Sequence, residues 1–307
     1  MSHDLDAPLY MPTHLWLILS ILLCTVSLVS AQTYRYETVD VPLTGIGWTR
    51  ITGMTDRGTM SGIYLDTQAN ERSWFYRRDK GQFEVVEQPG KHLIVQDINS
   101  SMCMSGEYLD STGSHGFVKK ESQFTTIRVE GAHSVQGCGL NTIGLVVCTY
   151  QDARGTHGLL YDLDLKKVVK SIDVPGALQT SVGGINNAND IVGAFDENNG
   201  QVYRTRGFLI RGDWNGTEEK VTVIDAPCGG GTSIRDINDH GIMAVMCFDM
   251  PSEGDAYSYA FDGVRWNELR VPDSYSTQVT RVNNAGELVG WYDGGDGKTH
   301  GFIARPQ

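Results

Sequence analysis

The chain has 307 residues, with 37 acidic against 25 basic side chains, a formal net charge of −12 and 40% hydrophobic residues. That acidic balance, with no basic run anywhere, argues against nucleic acid as a partner. The length would allow two domains, but an internal repeat runs almost end to end and favours one large domain.

Residues 1–31 differ from the rest. Residues 15–29 are an apolar run, shorter than the roughly 20 residues of a membrane span, and Val29-Ser30-Ala31 has the small residues of a cleavage site. The segment reads as a secretory signal peptide cleaved near Ala31, which leaves no stable membrane span and sends the protein to the cell surface or medium. An uncleaved signal anchor is the competing reading. Asp4 and Asp6 lie where basic residues are expected, and a start at Met11 would remove both, so Met11 is the expected start.

Residues 32–307 are Gly-rich, with short apolar segments bounded by turns and no sustained helical periodicity. One pattern returns six times. A turn opens at Thr55, Asn99, Asn141, Asn186, Asn238 and Asn283, at spacings of 44, 42, 45, 52 and 45 residues. An aromatic follows (Tyr64, Tyr108, Tyr150, Phe195, Phe248, Tyr292), then within two residues an aspartate (Asp66, Asp110, Asp152, Asp196, Asp249, Asp293). A third mark closes each copy, clearest as His115-Gly116-Phe117, Arg206-Gly207-Phe208 and His300-Gly301-Phe302. Upstream of each turn lies one more strand ending near a Pro or Gly. The windows are about 34–79, 81–121, 122–163, 166–212, 216–263 and 264–307. A period in the forties with about four short strands predicts an all-β fold, a β-propeller of six blades of about four antiparallel strands. A lone blade cannot bury both faces of its sheet, so the copies must stack. Which strand closes the ring stays open, since the first strand could complete the last blade. The residues after Phe302 hold no apolar tail, so no sorting anchor is expected there.

Asn283-Asn284-Ala285-Gly286-Glu287-Leu288-Val289-Gly290 followed by His300-Gly301-Phe302 resembles the bacterial extracellular HAF repeat, named for a His-Ala-Phe tripeptide. The resemblance covers nearly all of residues 32–307 and is most specific in the second, fourth and sixth copies. Gly replaces the middle Ala, and Arg206 replaces the His in the fourth copy. It implies a secreted repeat protein of unassigned activity and supplies no catalytic residue.

Loops between the aspartate and the third mark vary in length, and variable loops on a regular scaffold are where binding resides. The candidate ligand-binding residues are therefore Asp196, Glu197 and Asn198 in the fourth copy, Asp249, Glu253 and Asp255 in the fifth, and Asp293 and Asp296 in the sixth. Asp293 and Asp296 also raise calcium as the one cofactor to consider, through clustered oxygen ligands. Against that, an Asp after a strand bonds its own turn, and no calcium-loop spacing is present, so no metal site is assigned. His115, His157 and His300 sit at equivalent places on separate copies and are expected to be structural. Counting outward from Gly144 places Cys138 opposite Cys148 at a non-hydrogen-bonded position, which predicts a disulfide; Cys228 and Cys247 form a second candidate pair, and Cys103 is left over. Asn215-Gly216-Thr217 and Asn99-Ser100-Ser101 match the glycosylation pattern. No catalytic motif is visible. The sequence leans to an exported binding or surface-interaction module for an extracellular glycan or protein. A glycoside hydrolase or lyase acting on extracellular polysaccharide is the alternative, favoured if two acids converge in a deep central pocket.

Overall fold

Twenty-four antiparallel strands follow one another in the computed structural model, which describes residues 32–42, 47–88, 90–198, 200, 203–212, 220–248 and 257–307. No helix occurs among the described residues. The signal-peptide segment, the Met11 start, Asn215 and the candidates Asp249, Glu253 and Asp255 lie outside them.

After β1 (Tyr34–Val39), the strands group in fours. The first unit is β2 (Thr49–Met54), β3 (Met60–Leu65), β4 (Glu71–Arg77) and β5 (Gln82–Val86). The second is β6 (His92–Ile98), β7 (Met104–Asp110), β8 (Gly113–Lys120) and β9 (Gln123–Ile127). The third is β10 (Ser134–Leu140), β11 (Leu145–Asp152), β12 (Gly155–Asp162) and β13 (Lys167–Ile172). A single bridge between Ser114 and Ser134 joins the second and third. The fourth is β14 (Gln179–Ile185), β15 (Ile191–Asn198), β16 (Tyr203–Ile210) and β17 (Val221–Ile224). The fifth is β18 (Gly231–Ile237), β19 (Met243–Phe248), β20 (Tyr257–Phe261) and β21 (Trp266–Leu269). The last has only three strands of its own, β22 (Ser276–Val282), β23 (Leu288–Asp293) and β24 (Thr299–Pro306). Its fourth is β1, paired from Tyr34 opposite Pro306 to Val39 opposite Gly301. Each sheet therefore starts one strand later than the repeat windows. The strand that opens a window, such as β5, pairs with the strand ending the window before it, because a sequence period carries no phase of its own.

Burial follows position in the sheet. Inner strands are almost wholly buried, as in β2, whereas outer strands such as β5 and β13 show mostly exposed residues and bury only their final Val86 and Ile172. The third mark supplies the large side chains packed between neighbouring sheets: Trp74, Phe117, Leu159, Phe208 and Phe302 are fully buried.

The turn explains why asparagine recurs. In four copies its side-chain oxygen accepts two main-chain N–H bonds of its own turn, for example from Ala285 and Glu287 to Asn283. Its amide then donates to the equivalent main-chain carbonyl of the next unit: Asn99 to Asn141 (2.8 Å), Asn141 to Asn186 (3.2 Å), Asn186 to Asn238 (3.1 Å), Asn238 to Asn283 (2.8 Å) and Asn283 to Thr55 (3.5 Å). Thr55 has no amide to donate to Asn99, and there the series stops. A second row lies outside it, with the main-chain N–H of Thr142 bonded to Asn187, Asn187 to Asp239, Asp239 to Asn284 and Asn284 to Asp56. The last unit thus contacts the first through both rows, as well as through Thr280 to Ile51. The fourth turn residue has positive φ in all six copies, at Gly58, Met102, Gly144, Asn189, Gly241 and Gly286.

Candidate functional site

Every inner strand carries a bulge just before its turn, and this feature builds the centre of the molecule. The register skips Thr52 on β2, Gln96 on β6, Gly137 and Cys138 on β10, Gly183 on β14, Arg235 on β18 and Thr280 on β22. A bulge sets an extra residue into the strand and re-aims the side chains beside it. Next in sequence stand Gly53, Asp97, Gly139, Gly184, Asp236 and Arg281. Three glycines leave space, and the three charged side chains fill it.

Those three form a buried cluster, each less than one-tenth exposed. Arg281 Nε lies 3.4 Å from Asp97 Oδ1 without a hydrogen bond, while Nη1 donates to the carbonyls of Thr280 and Arg235. Asp97 accepts main-chain bonds from Ile98 and, across units, Leu140; Asp236 accepts one from Val282 in the next unit. Burial raises both carboxyls above the usual range, against the pull of the Arg281 charge and these N–H bonds, and Asp236 reaches about 7 with Asp97 adding to its rise. Arg235, half-buried beside Arg281, is pushed down to about 10, chiefly by burial and then by its like-charged neighbour. It remains a cation at neutral pH and makes no hydrogen bond or ion pair through its guanidinium among the described residues.

The cluster separates two cavities. On the turn side, the six turns surround a depression of about 80 Å³ that includes Asp97, Asp236, Asp56 and Asp239 in its lining. That is room for a few waters, not for a sugar ring. On the opposite side, where the β3–β4 type of loop emerges, a cavity of about 250 Å³ is lined by Gln96, Gln136, Thr149, Ser181, Ser233 and Arg235, with Glu107 and Arg281 also in its wall. Its size is near the lower end of ordinary ligand pockets. Gly137 at φ +63° has open space where a Cβ would point. Glu107 is turned toward Ser114, which donates to it at 3.3 Å, and burial raises its carboxyl above the usual range.

The loop face around this cavity also carries exposed large side chains: Leu109, Leu178, Tyr203 and Tyr275 are all more than half exposed. Arg50, at the strand position that Ser181 and Ser233 hold on β14 and β18, lies between Trp48 and Trp291 with its guanidinium 4.4 and 4.0 Å from the two rings.

None of the described loop candidates lines either axial cavity. Asp196 accepts hydrogen bonds from Tyr203 (2.5 Å) and Thr205 (2.6 Å) of its own hairpin, Glu197 sits 3.4 Å from Arg206, and Asn198 accepts from Gly200 N–H. Asp293 accepts from Ser276 and Thr299, and Asp296 from Lys298 N–H and His300. Asp66, Asp110 and Asp152 do bond their own turn backbones, and those bonds together with side-chain bonds hold each carboxyl down to about 2. No group of three metal-ligating side chains occurs among the described residues. The histidines serve their own units: His115 bonds Asp110 and Thr112, His157 bonds Asp173 at 2.6 Å, and His300 bridges Asp40 and Asp296 while stacking on Tyr292. Arg206 replaces the histidine in the fourth unit and pairs with Asp225, the counterpart of Asp173. Cys138 is disulfide-bonded to Cys148 across the β10 bulge, with Cα atoms 4.2 Å apart, and Cys228 to Cys247, at 6.5 Å; Cys103 is free and buried.

No family model and no curated protein matches the sequence. The fold does match solved structures. The β-propeller domain of the Trilobed protease from Pyrococcus furiosus, with an open velcro topology, aligns at 10% identity and TM-score 0.52 over 86% of this chain and 83% of its own. XC5397 from Xanthomonas campestris, a gluconolactonase, aligns at 11% and 0.54 over 90% and 91%. The Aleuria aurantia lectin, in complex with Fucalpha1-6GlcNAc, aligns at 11% and 0.50 over 83% and 91%. The chain has the β-propeller fold, and at these identities the likeness extends no further than fold.

Proposed function

We propose that this protein is an exported six-bladed propeller of the HAF-repeat type, closed by its first strand, that binds an extracellular glycan or protein through its loop face. The observation that carries the reading is the axial cavity of about 250 Å³, lined by neutral hydrogen-bonding side chains together with Glu107, Arg281 and an Arg235 that has no partner among the described residues, at the centre of a face bearing exposed Tyr203 and Tyr275. Amphipathic aromatics beside convergent polar groups are the ordinary make-up of a recognition surface. Export is supported by the two disulfides, which belong in an oxidising compartment. Propellers with a lectin's and with an enzyme's activity both share this fold. The buried acids Asp97 and Asp236 give the enzyme reading little support, because they face the turn-side depression, where a sugar ring has no room.

Thermal unfolding against a panel of glycans tests the proposal. A ligand specific for the folded state at a hundredfold excess over its dissociation constant adds about 2.7 kcal/mol of stability. A raised midpoint with the glycan recovered intact is the expected result; turnover of the bound glycan would overturn the binding-module reading in favour of the enzyme.

A further inference from the structure

The two ends of the axial channel differ in charge. Aspartates line the turn side, and Arg235 and Arg281 lie in the wall of the loop-side cavity. This placement comes from single residues in the repeat. At the bulge position where β14 has Gly183, β18 has Arg235, and a Cβ on Gly183 would lie 2.2 Å from the carbonyl oxygen of Ile234. The glycine lets the neighbouring strand come close, so that its nearest contacts are the main chain of Ile234 and Arg235. In the buried cluster Arg281 is already engaged with Asp97 and with two carbonyls, whereas the Arg235 guanidinium has no partner among the described residues. A half-buried guanidinium with its donors unused in a polar cavity has unmet hydrogen-bonding capacity, and its planar fork matches a carboxylate in two parallel bonds. Gln96, Gln136, Ser181, Ser233 and Thr149 surround it with neutral donors and acceptors of the kind that meet hydroxyl groups.

We infer that the loop-side axial cavity is a site for a carboxylate-bearing sugar, with Arg235 pairing the carboxylate and the neighbouring amide and hydroxyl side chains meeting the ring hydroxyls. The inference rests on the loop-face binding reading and narrows its ligand to acidic glycan. The Arg281 charge next to Arg235 adds to the attraction, and Glu107 in the same wall is engaged by Ser114.

The experiment is calorimetric titration of the purified protein with glucuronate, galacturonate, glucose and inorganic sulfate, repeated on Arg235→Gln and Arg235→Lys. The expected result is binding of at least one uronate, no binding of glucose, a loss of tenfold or more in Arg235→Gln, and partial retention in Arg235→Lys, which keeps the charge without the fork. Circular dichroism and melting checks that each variant is folded. Uronate binding unchanged in folded Arg235→Gln overturns the assignment of Arg235. Equal binding of sulfate and uronate overturns the sugar and leaves an inorganic-anion site. A neutral glycan that binds wild type and Arg235→Gln alike overturns the acidic ligand while leaving the loop-face reading intact. No binding by glucose or by either uronate overturns the acidic-sugar site and leaves a protein as the ligand of the loop face.

Discussion

Replacing Asn238 with alanine tests the asparagine series where it is most completely formed. Asn238 is 4% exposed. Its Oδ1 accepts from His240 N–H at 3.0 Å and Ile242 N–H at 2.9 Å, and its Nδ2 donates to the Asn283 carbonyl at 2.8 Å. Alanine removes all three. Each intramolecular hydrogen bond contributes about 0.5–1.5 kcal/mol net, and more where a partner is left buried and unpaired. His240 is exposed and water can reach its N–H, so the larger losses fall on Ile242 N–H and the Asn283 carbonyl. The sum is about 2–4 kcal/mol, well above the about 0.5 kcal/mol of an ordinary surface change. Asn238→Asp separates the two roles: it keeps the acceptor for the turn and turns the donor to Asn283 into a second oxygen facing that carbonyl. Urea denaturation followed by tryptophan fluorescence measures both variants. A cost under about 1 kcal/mol for alanine, or an aspartate variant as stable as wild type, would refute the account of the series as a load-sharing link between units.

Thr55→Asn supplies the amide missing between the first and second units and is expected to add about 0.5–1.5 kcal/mol in the same assay; a loss of stability would show that the gap is required. Asp236 is raised from an ordinary carboxyl value to about 7 in the folded state, so the folded protein binds more protons between pH 4 and 7 and stability falls as pH rises through that window. Asp236→Asn is expected to flatten that part of the stability–pH curve, and an unchanged slope would contradict it. The His300 pKa is raised despite the opposing effect of burial, because Asp40 and Asp296 bond the ring. Its contribution is therefore full below about pH 6.5 and lost above the raised folded value, so Asp40→Asn is expected to destabilise the protein more at pH 5.5 than at pH 8.5. Cys138→Ser with Cys148→Ser opens a loop of sequence separation 10 and is expected to cost about 2–3 kcal/mol on the chain-entropy account; peptide mapping of the oxidised wild type checks the pairing.

The propeller was legible because its demands are local and repeated. Five of the six turns start with Asn and the first with Thr55, all six end in a positive-φ residue, and these marks keep the period wherever other positions drift. The short hairpin brought Cys138 near Cys148, but Cys138 lies in the β10 bulge and not at the one-to-one paired position counted from Gly144. The phase of the sheets was not legible, because β1 and β24 pair from opposite ends of the described residues and no local pattern records that pairing. The axial cluster was missed for a related reason. Asp97, Asp236 and Arg281 belong to different copies, and each looks like a surface charge beside a turn. The available signal was their position: two residues before the turn residue, where the other three copies have Gly53, Gly139 and Gly184. The aspartates after the second strand drew attention through recurrence, yet Asp66, Asp110 and Asp152 recur because the turn does, and Asp196 and Asp293 are occupied by hydroxyls of their own sheets.

The most direct test of the binding reading fills the axial cavity. Ser181→Trp projects a large side chain from its wall, at a residue outside the buried cluster and the asparagine series. Binding of the glycan found in the thermal screen is then measured on wild type and variant, together with the melting midpoint. The account predicts that the variant stays folded and loses binding by tenfold or more. A folded variant that binds as tightly as wild type would place the site away from the channel and contradict it.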